Sequence, residues 1–256
     1  MTDLFQSERQ RQIAALTVDV GRVEVAELAE RFKVTTETIR RDLSELQTLR
    51  LVRRVHGGAV PWQGSTFEPL LVNRNVQNAE EKRRLAHRAI EELPESGTII
   101  IDSGSTLASL AEVIPDDCDL RVVTNSLVTA QELAGRTQID VIVVGGKVRK
   151  NTLAMVDAEA VAAVQRMTAD TLFISADAAT ASNGLTTPYR EEAALKSTMI
   201  AAAKRVVTLV DHSKFGEDQF IRFAVWEDID VLITNSEVDS GVVAAIEQTG
   251  TIVALC

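Results

Sequence analysis

Four loops rich in glycine, hydroxyl groups and charged side chains could bind a small anionic ligand. The clearest of them follows an apolar, strand-like segment at residues 98–101 and consists of Asp102, Ser103, Gly104, Ser105 and Thr106. Such a loop opens a helix and exposes backbone N–H groups at the helix N-terminus, where the helix dipole stabilises an anion. The loop has neither a Walker-A lysine pattern nor a GxGxxG pattern, which disfavours nucleotide binding.

Polar residues and glycines also follow three other strand-like segments, at residues 121–124, 139–144 and 205–210. They are Asn125 after the first segment, Gly145, Gly146 and Lys147 after the second, and Asp211 and Lys214 after the third. In an open α/β sheet, ligands bind outside the carboxyl ends of the strands. Each loop alone is typical of an ordinary turn. Together they predict one site for a sugar phosphate, with loop amides and lysines on the phosphate and Asp and Asn on the hydroxyl groups.

Alternating strands and helices must position these loops. The candidate strands are residues 98–101, 121–124, 139–144, 171–175, 205–210, 231–234 and 251–255. The candidate helices are residues 79–93, 106–113, 128–134, 158–165, 191–203 and 241–248. Strands that are apolar along their whole length and alternate with helices predict an α/β domain with a mostly parallel sheet, covered on both faces.

The first 60 residues have helical spacing of apolar residues instead. The apolar positions of three successive helices are Ile13, Leu16 and Val20, then Leu28, Ala29 and Phe32, then Ile39, Leu43, Leu46 and Leu49. The second and third helices, near residues 25–32 and 36–49, have the proportions of a helix-turn-helix, and residues 51–55 continue as a β-ribbon. Either Thr35 or Thr36 can cap the third helix.

The outward face of the third helix and the ribbon after it carry arginine and threonine. Arginine matches phosphates and guanine edges, and threonine contacts phosphates or a thymine methyl group. The alternative is a solvated basic face on a small helical domain. We expect double-stranded DNA to be contacted by Thr35, Thr36, Thr38, Arg40, Arg41, Arg53, Arg54 and His56.

Charge is distributed unevenly along the chain. The net charge is −10, which at first disfavours nucleic acid. Residues 31–60, however, hold 7 basic and 3 acidic side chains, whereas residues 61–256 hold 17 basic and 28 acidic ones. A small basic surface joined to an acidic body can bind phosphates selectively.

A stretch that contains two of the five prolines, Pro61 and Pro69, interrupts regular structure. We therefore expect a winged helix-turn-helix domain at residues 1–60, a linker at 61–75, and an effector-sensing and oligomerisation domain at 76–256. The second domain is predicted to be α/β, with a Rossmann-like arrangement.

Composition excludes several classes of protein. Hydrophobic residues make up 45% and charged residues 25%, which is typical of a globular chain and not of a disordered one. No apolar stretch is long enough for a membrane span, and the N-terminus lacks a secretory pattern, so we expect a cytoplasmic location and no membrane partner.

Two cysteines, Cys118 and Cys256, cannot form a disulfide framework, and the three histidines are far apart. We therefore expect neither a metal nor a cofactor.

The N-terminal motifs resemble those of the DeoR family of bacterial transcriptional regulators. They are SERQRQI at residues 7–13, VAELAERFKVT at 25–35, TIRRDL at 38–43 and RRVHGGA at 53–59. This resemblance implies a winged helix-turn-helix that binds an operator. Lys33 stands where the family often has glycine, in a turn that favours the left-handed conformation.

The C-terminal motifs resemble the sensor domain of the same family, whose fold is similar to ribose-5-phosphate isomerase. They are IDSGST, VVTNS, VVGGKVR, NGLTTPYREEAALK and VDHSKFG, in that order. The resemblance implies a phosphate loop at residues 102–106. Around the sugar it places Asn125, Gly145, Gly146, Asp211 and Lys214, with Glu192 and Lys196 nearby.

Two departures from the family pattern bear on the ligand. Asp157 stands where the family commonly has glycine, and residues 173–179 lack the family's glycine-bearing loop. An added carboxylate and the lost glycines could repel a phosphate or narrow the cavity.

The sequence predicts a DNA-binding regulator without catalysis, a repressor of carbohydrate-metabolism genes that is controlled by a sugar phosphate or a related metabolite. The family more commonly releases DNA when its effector binds. The alternative is a sugar-phosphate isomerase-like enzyme with an accessory DNA-binding domain, in which Asp177 and Lys214 could supply base and electrophile. A homodimer or a higher homo-oligomer is expected, because two recognition helices read paired half-sites.

Overall fold

The computed structural model of the protein describes residues 6–49, 51–61, 71, 74 and 77–256. The chain forms two compact units, Met1–Gln77 and Asn78–Cys256. Most of the predicted linker at residues 61–75 lies outside the described residues.

The first unit is a winged helix-turn-helix. Its helices are α1 (Gln6–Val20), α2 (Val25–Phe32) and α3 (Thr36–Thr48), and its strands are β1 (Val23–Glu24), β2 (Val52–Val55) and β3 (Gly58–Pro61). The strands form an antiparallel sheet in the order β1-β3-β2. Lys33 ends α2 in the left-handed conformation, with φ 54°, as the comparison with glycine in the family predicts.

A small apolar core holds this unit together. Its fully buried members include Ile13, Leu28, Ile39, Leu43 and Leu46. Leu49, the last apolar position expected on the third helix, lies just beyond it: α3 ends at Thr48, and Leu49 is 49% exposed. The side chain of Val20 lies outside the described residues.

A buried ion pair joins α1 to α3. The Arg9 Nε donates to Asp42 Oδ2 at 2.7 Å, and both side chains are nearly inaccessible to solvent. Gln10 Nε2 donates to Asp42 Oδ1 at 3.0 Å. Because Asp42 lies on the recognition helix α3, these hydrogen bonds fix that helix against α1.

The second unit contains one seven-stranded sheet in which every neighbouring pair is parallel, in the order β15-β14-β12-β9-β4-β5-β6. Its strands are β4 (Ser96–Ile101), β5 (Asp119–Thr124), β6 (Ile139–Val143), β9 (Ala169–Ile174), β12 (Ala203–Leu209), β14 (Val231–Thr234) and β15 (Ile252–Leu255). The expected α/β class and mostly parallel sheet are confirmed.

Helices cover both faces of this sheet. They are α4 (Ala79–Ala89), α5 (Ser105–Val113), α6 (Leu127–Leu133), α7 (Ala158–Val164), α8 (Arg190–Ala201) and α9 (Ser240–Glu247). One core contains side chains of α4, α5 and α6, and the other contains side chains of α7, α8 and α9. Ile99 and Ile101 belong to the first core and Ile100 to the second, because successive side chains of a strand point to opposite faces. No helix in the described ranges is long and apolar enough to cross a membrane.

Two small antiparallel elements were not predicted. A three-stranded sheet contains β10 (Ala178–Thr180), β11 (Gly184–Thr187) and β13 (Ile221–Ala224), in that order. A ribbon pairs β7 (Lys147–Val148) with β8 (Met155–Val156).

We expect Asp42→Ala to destabilise the N-terminal unit by about 3–5 kcal/mol, because it leaves Arg9 buried without its carboxylate. Chemical denaturation of the full chain, followed by helix signal, measures this loss. The matched control is Glu37→Ala, since Glu37 is exposed and its ion pair with Arg40 at 3.3 Å is at the surface. This control should change stability by about 0.5 kcal/mol or less. Equal effects of the two substitutions would contradict the assigned role of Asp42.

Candidate functional site

A groove of about 620 Å³ lies beside the N-terminal half of α3. Five of the predicted DNA-contacting residues line it: Thr35, Thr38, Arg40, Arg41 and Arg54. Thr36, Arg53 and His56 are exposed but do not line the groove. The predicted set does not include the other five lining residues, although the SERQRQI motif contains Arg9: Gln6, Arg9, Glu37, Asp42 and Ser44.

Local hydrogen bonds hold the groove residues in place. Thr35 is the helix cap, since its Oγ1 accepts a hydrogen bond from the Thr38 backbone N–H at 3.2 Å. The Arg54 guanidinium donates to Ser44 Oγ at 2.8 Å, which ties the wing to α3. Arg40 and Arg41 remain exposed on the first turns of α3, the end that enters a major groove in helix-turn-helix proteins.

The parallel sheet of the second unit brings the predicted ligand loops to one edge. Asn125 follows β5, Asp102 follows the adjacent β4, and Asp211 lies beyond the end of β12, two strands from β4. Gly145 and Gly146 lie just beyond the end of β6, the neighbour of β5. Neighbouring strands are about 4.8 Å apart, so the loops lie side by side.

The loop after β4 forms the N-terminus of α5. Ser103, Ser105 and Thr106 are all buried, and Gly104 occupies the N-cap with φ 120°. That backbone conformation favours glycine, and glycine has no side chain to accept a hydrogen bond from the first N–H groups of the helix. These N–H groups can therefore bind an anion, which the helix dipole stabilises.

Asp102 and Lys196 form a buried ion pair at the centre of this edge. The Lys196 ammonium contacts Asp102 Oδ2 and also donates to the backbone carbonyl of Ser175 at 2.9 Å. It lies 5.3 Å from the centroid of the Phe223 ring. Each charge is compensated locally, which is the condition for burying charges at acceptable cost.

Asp211 is 1% exposed and accepts several hydrogen bonds. Its Oδ1 accepts from the Ser213 backbone N–H at 3.2 Å, from the Ser213 hydroxyl and from Asn78 Nδ2 at 3.1 Å. Burial raises the pKa of the Asp211 carboxyl, but Lys214, Ser213, Lys82 and Asn78 together outweigh burial and lower it. Asp211 is therefore a stable anion, beside two lysines.

Glu192 is also buried and paired. The Arg149 guanidinium forms an ion pair with its Oε1, and Thr187 Oγ1 lies 3.3 Å from its Oε2. Arg149 stacks over the Tyr189 ring at 3.8 Å. Thr187 also donates to Asp177 Oδ2 at 2.8 Å, which links Asp177 to the same network.

Asp157 caps α7 and organises the glycine loop after β6. One carboxylate oxygen accepts from the backbone N–H groups of Glu159 at 3.0 Å and Ala160 at 3.1 Å, and the other accepts from Lys147 N–H at 2.9 Å. The Ala160 and Lys147 N–H groups lower the pKa of the Asp157 carboxyl. This carboxylate thus stabilises the protein's own backbone instead of extending freely toward a ligand.

The backbone at Asp157 has a conformation that favours glycine. Asp157 has φ 131°, a value that L side chains rarely adopt. Gly146 has φ 126°, and a Cβ there would lie 2.8 Å from Asp157 Oδ1. The loop therefore requires glycine at position 146 and tolerates Asp157 through its capping hydrogen bonds.

Comparison with known proteins decides the family. Residues 77–236 match the description DeoR C terminal sensor domain, and residues 9–63 match DeoR-like helix-turn-helix domain. The chain belongs to the DeoR family. The HTH-type transcriptional regulator GlpR of Haloferax volcanii is 37% identical over 96% of this chain and 96% of its own length.

A second relative is also similar over most of its length. The glycerol-3-phosphate regulon repressor of Escherichia coli is 29% identical over 90% of this chain and 91% of its own. Among solved structures, ribose 5-phosphate isomerase A of Neisseria gonorrhoeae has a TM-score of 0.40 and is 19% identical, covering 53% of each chain. The DeoR-family relatives are transcriptional regulators, and so is this protein.

Sequence reasoning about this DeoR-family protein missed Lys82, Asn78, Arg149 and Tyr189 near the site. Lys82 is 4% exposed although it is charged. A signal for it existed, because Lys82 occupies the apolar face of α4 together with Leu85, Ala86 and Ala89. A lysine at such spacing is a candidate for a buried charge that serves a site.

The strained backbone at Asp157 leads to a stability prediction. Asp157→Ala and Asp157→Gly both lose the capping carboxylate, but alanine alone keeps the strain of φ 131°. We expect Asp157→Ala to melt roughly 2–4 °C below Asp157→Gly, the reverse of the usual preference for alanine. Differential scanning calorimetry measures the order. An alanine variant as stable as the glycine variant would show that the residue does not adopt this conformation.

Proposed function

We propose that this DeoR-family regulator represses carbohydrate-metabolism genes and that a sugar phosphate or a related metabolite controls its operator binding. We assign DNA binding to residues 1–60, and effector binding and oligomerisation to residues 76–256. The observation that carries the proposal is the groove beside α3, where Arg40, Arg41 and Arg54 converge in an otherwise acidic chain.

DNA contact through α3 follows from this charge and from helix geometry. Arg40 and Arg41 lie near the N-terminus of α3, where side chains reach base edges in the major groove. Arg54, held by Ser44, would contact the flanking phosphates. Thr36, Arg53 and His56 would extend these contacts along the backbone.

Charge at the sheet edge favours an anionic effector. The Asp102–Lys196 and Glu192–Arg149 pairs are each neutral. Asp211 is buried near the positive charges of Lys82 and Lys214, and the Glu81 carboxylate lies within 4.8 Å of it. The N-terminus of α5 suits a phosphate, and the name of the Escherichia coli relative points to a phosphorylated polyol.

We infer that the sensor domain binds its ligand without transforming it. In the enzymatic alternative Asp177 and Lys214 would be the base and the electrophile, but Asp177 accepts a hydrogen bond from Thr187 and the charge of Lys214 acts on the buried Asp211 carboxyl. Groups held in this way are positioned for binding, whereas aldose–ketose isomerisation needs a base poised at a substrate C–H bond. An isomerase assay with ribose 5-phosphate tests the enzymatic alternative directly.

We also propose that the active form is a homodimer or a higher homo-oligomer. A single short recognition helix reads few base pairs, whereas two helices read half-sites about one DNA turn apart. Light scattering gives the mass in solution, and a monomeric protein bound to its operator would refute this part of the proposal.

A thermal-shift screen tests the effector. Sugar phosphates and their unphosphorylated parents are added to the full-length protein. A ligand at 100 times its dissociation constant adds roughly 2.7 kcal/mol to the free energy of unfolding. A phosphorylated hit that also changes operator binding supports the proposal, whereas an unphosphorylated hit of equal strength contradicts the assigned effector class.

Arg41→Ala should weaken operator binding by about 1–3 kcal/mol and relax specificity at one base pair, because Arg41 is exposed on the first turns of α3. The operator is first selected from random DNA with the wild-type protein, and affinity is measured at several salt concentrations. The control is Arg31→Ala, which removes an exposed arginine of α2 that does not line the groove. Unchanged affinity of Arg41→Ala would remove this residue from the interface.

Lys214→Ala should weaken effector binding by about 10- to 100-fold while operator binding without effector stays intact, because the variant removes one of the two cations beside Asp211. Calorimetric titration with the hit of the screen measures the loss. The control is Lys204→Ala, whose exposed lysine pairs with Asp170 at 2.8 Å. Loss of both binding activities in Lys214→Ala would mark Lys214 as a structural residue.

A further inference from the structure

Two carboxylates line the groove beside α3, although we assign this groove to DNA, a polyanion. They belong to Asp42 and Glu37. Asp42 is 1% exposed and accepts hydrogen bonds from Arg9 and Gln10. The Glu37 side chain, in contrast, is 82% exposed and lies in the first turn of α3. Glu37 is therefore an acidic side chain that a docked DNA molecule would meet.

Electrostatics alone disfavours an acid at this position. Double-stranded DNA carries one negative charge about every 1.7 Å along its axis, so its backbone repels a carboxylate on the docking surface. A first-turn carboxylate does stabilise a helix through the helix dipole. An acid at position 36 would provide the same benefit, because Thr36 is an exposed first-turn residue that does not line the groove. The dipole thus accounts for an acid in this turn but not for its place in the groove.

Glu37 shares the exposed face of α3 with two arginines. Arg40 Nη1 lies 3.3 Å from Glu37 Oε2, one helical turn away. Arg41 is also exposed, and all three residues line the groove. Residues three and four positions apart are neighbours on a helix surface. Because the first turns of a recognition helix contact base edges, Glu37 would reach the bases together with Arg40 and Arg41.

Hydrogen-bond polarity restricts the base that Glu37 can read. An ionised carboxylate only accepts hydrogen bonds. In the major groove, the donors are N4 of cytosine and N6 of adenine, and adenine also presents the acceptor N7 beside N6. A carboxylate therefore fits cytosine, whereas glutamine, which both donates and accepts, fits adenine. The guanidinium of Arg40, which Glu37 holds, matches the two acceptors of guanine.

We propose that Glu37 determines operator specificity by accepting a hydrogen bond from N4 of a cytosine in each half-site. Its ion pair orients Arg40, which donates to O6 and N7 of a guanine in the same half-site. The base contact offsets the repulsion by phosphates only at the correct sequence, so Glu37 weakens binding to other sequences. This inference rests on the proposed function, since it requires α3 to dock in the major groove.

Glu37→Gln tests this role, because glutamine keeps the length of the side chain, removes its charge and adds a donor. The operator is selected from random DNA with the full-length wild-type protein. Dissociation constants are then measured for operators that carry each of the four bases at every half-site position, and for a random-sequence duplex. The matched control is Glu27→Gln, since Glu27 is an exposed acid in the first turn of α2 that does not line the groove.

We expect the wild type to prefer cytosine at one half-site position by about 5- to 100-fold, the usual effect of one mismatched base pair. In Glu37→Gln this preference should disappear or change to adenine. The variant should also bind the random duplex about 2- to 5-fold more tightly, because one charge that repels phosphates is removed. Glu27→Gln should keep the wild-type base preferences, and both variants should melt close to the wild-type temperature.

Two results would overturn the inference while leaving the proposed function intact. The first is a Glu37→Gln variant that keeps the wild-type base preference at every position. The second is an equal loss of affinity for the operator and the random duplex together with a lower melting temperature, which would assign Glu37 to helix stability. If the wild-type protein selects no sequence from random DNA, the proposed operator binding fails and the inference fails with it.

Discussion

The proposed ligand site depends on the parallel pairing of the seven strands in the large sheet. Parallel strands all end at the same edge, and each strand is followed by a loop that leads to a covering helix. Residues separated by more than 100 positions, such as Asp102 and Asp211, are thereby brought within two strand spacings of each other. The same pairing places the N-terminus of α5 at this edge, so a helix dipole, lysines and amides can act on one ligand.

Compensation of buried charge shapes both units. Asp42 is paired with Arg9, Asp102 with Lys196, and Glu192 with Arg149. A buried ion without a partner would be expensive, so these pairs constrain the elements that carry them. Asp211 differs from these pairs because two lysines, Lys82 and Lys214, together with neutral hydrogen-bond donors, lower the pKa of one buried carboxyl.

Local features were predicted well where a short-range physical rule governs them. β14 has its predicted bounds, Lys33 adopts the left-handed conformation, and Thr35 is the helix cap. The expectation that the third helix includes Leu49 was wrong, because helical spacing does not reveal where a helix ends. The antiparallel sheet was missed because β11 pairs with β13, more than 30 residues away, and neither strand has a clear apolar alternation.

The sequence by itself determined the two-unit organisation of helical and α/β patterns, the basic recognition helix and the residue types at the strand ends, because periodicity, charge and turn chemistry are local properties. Only the tertiary structure decided which of these residues are available. It paired Glu192 with Arg149, used Asp157 to cap α7 and buried Lys82 near Asp211. Such outcomes depend on distances between side chains that are far apart in sequence. Strand order sets these distances, and the local sequence pattern does not.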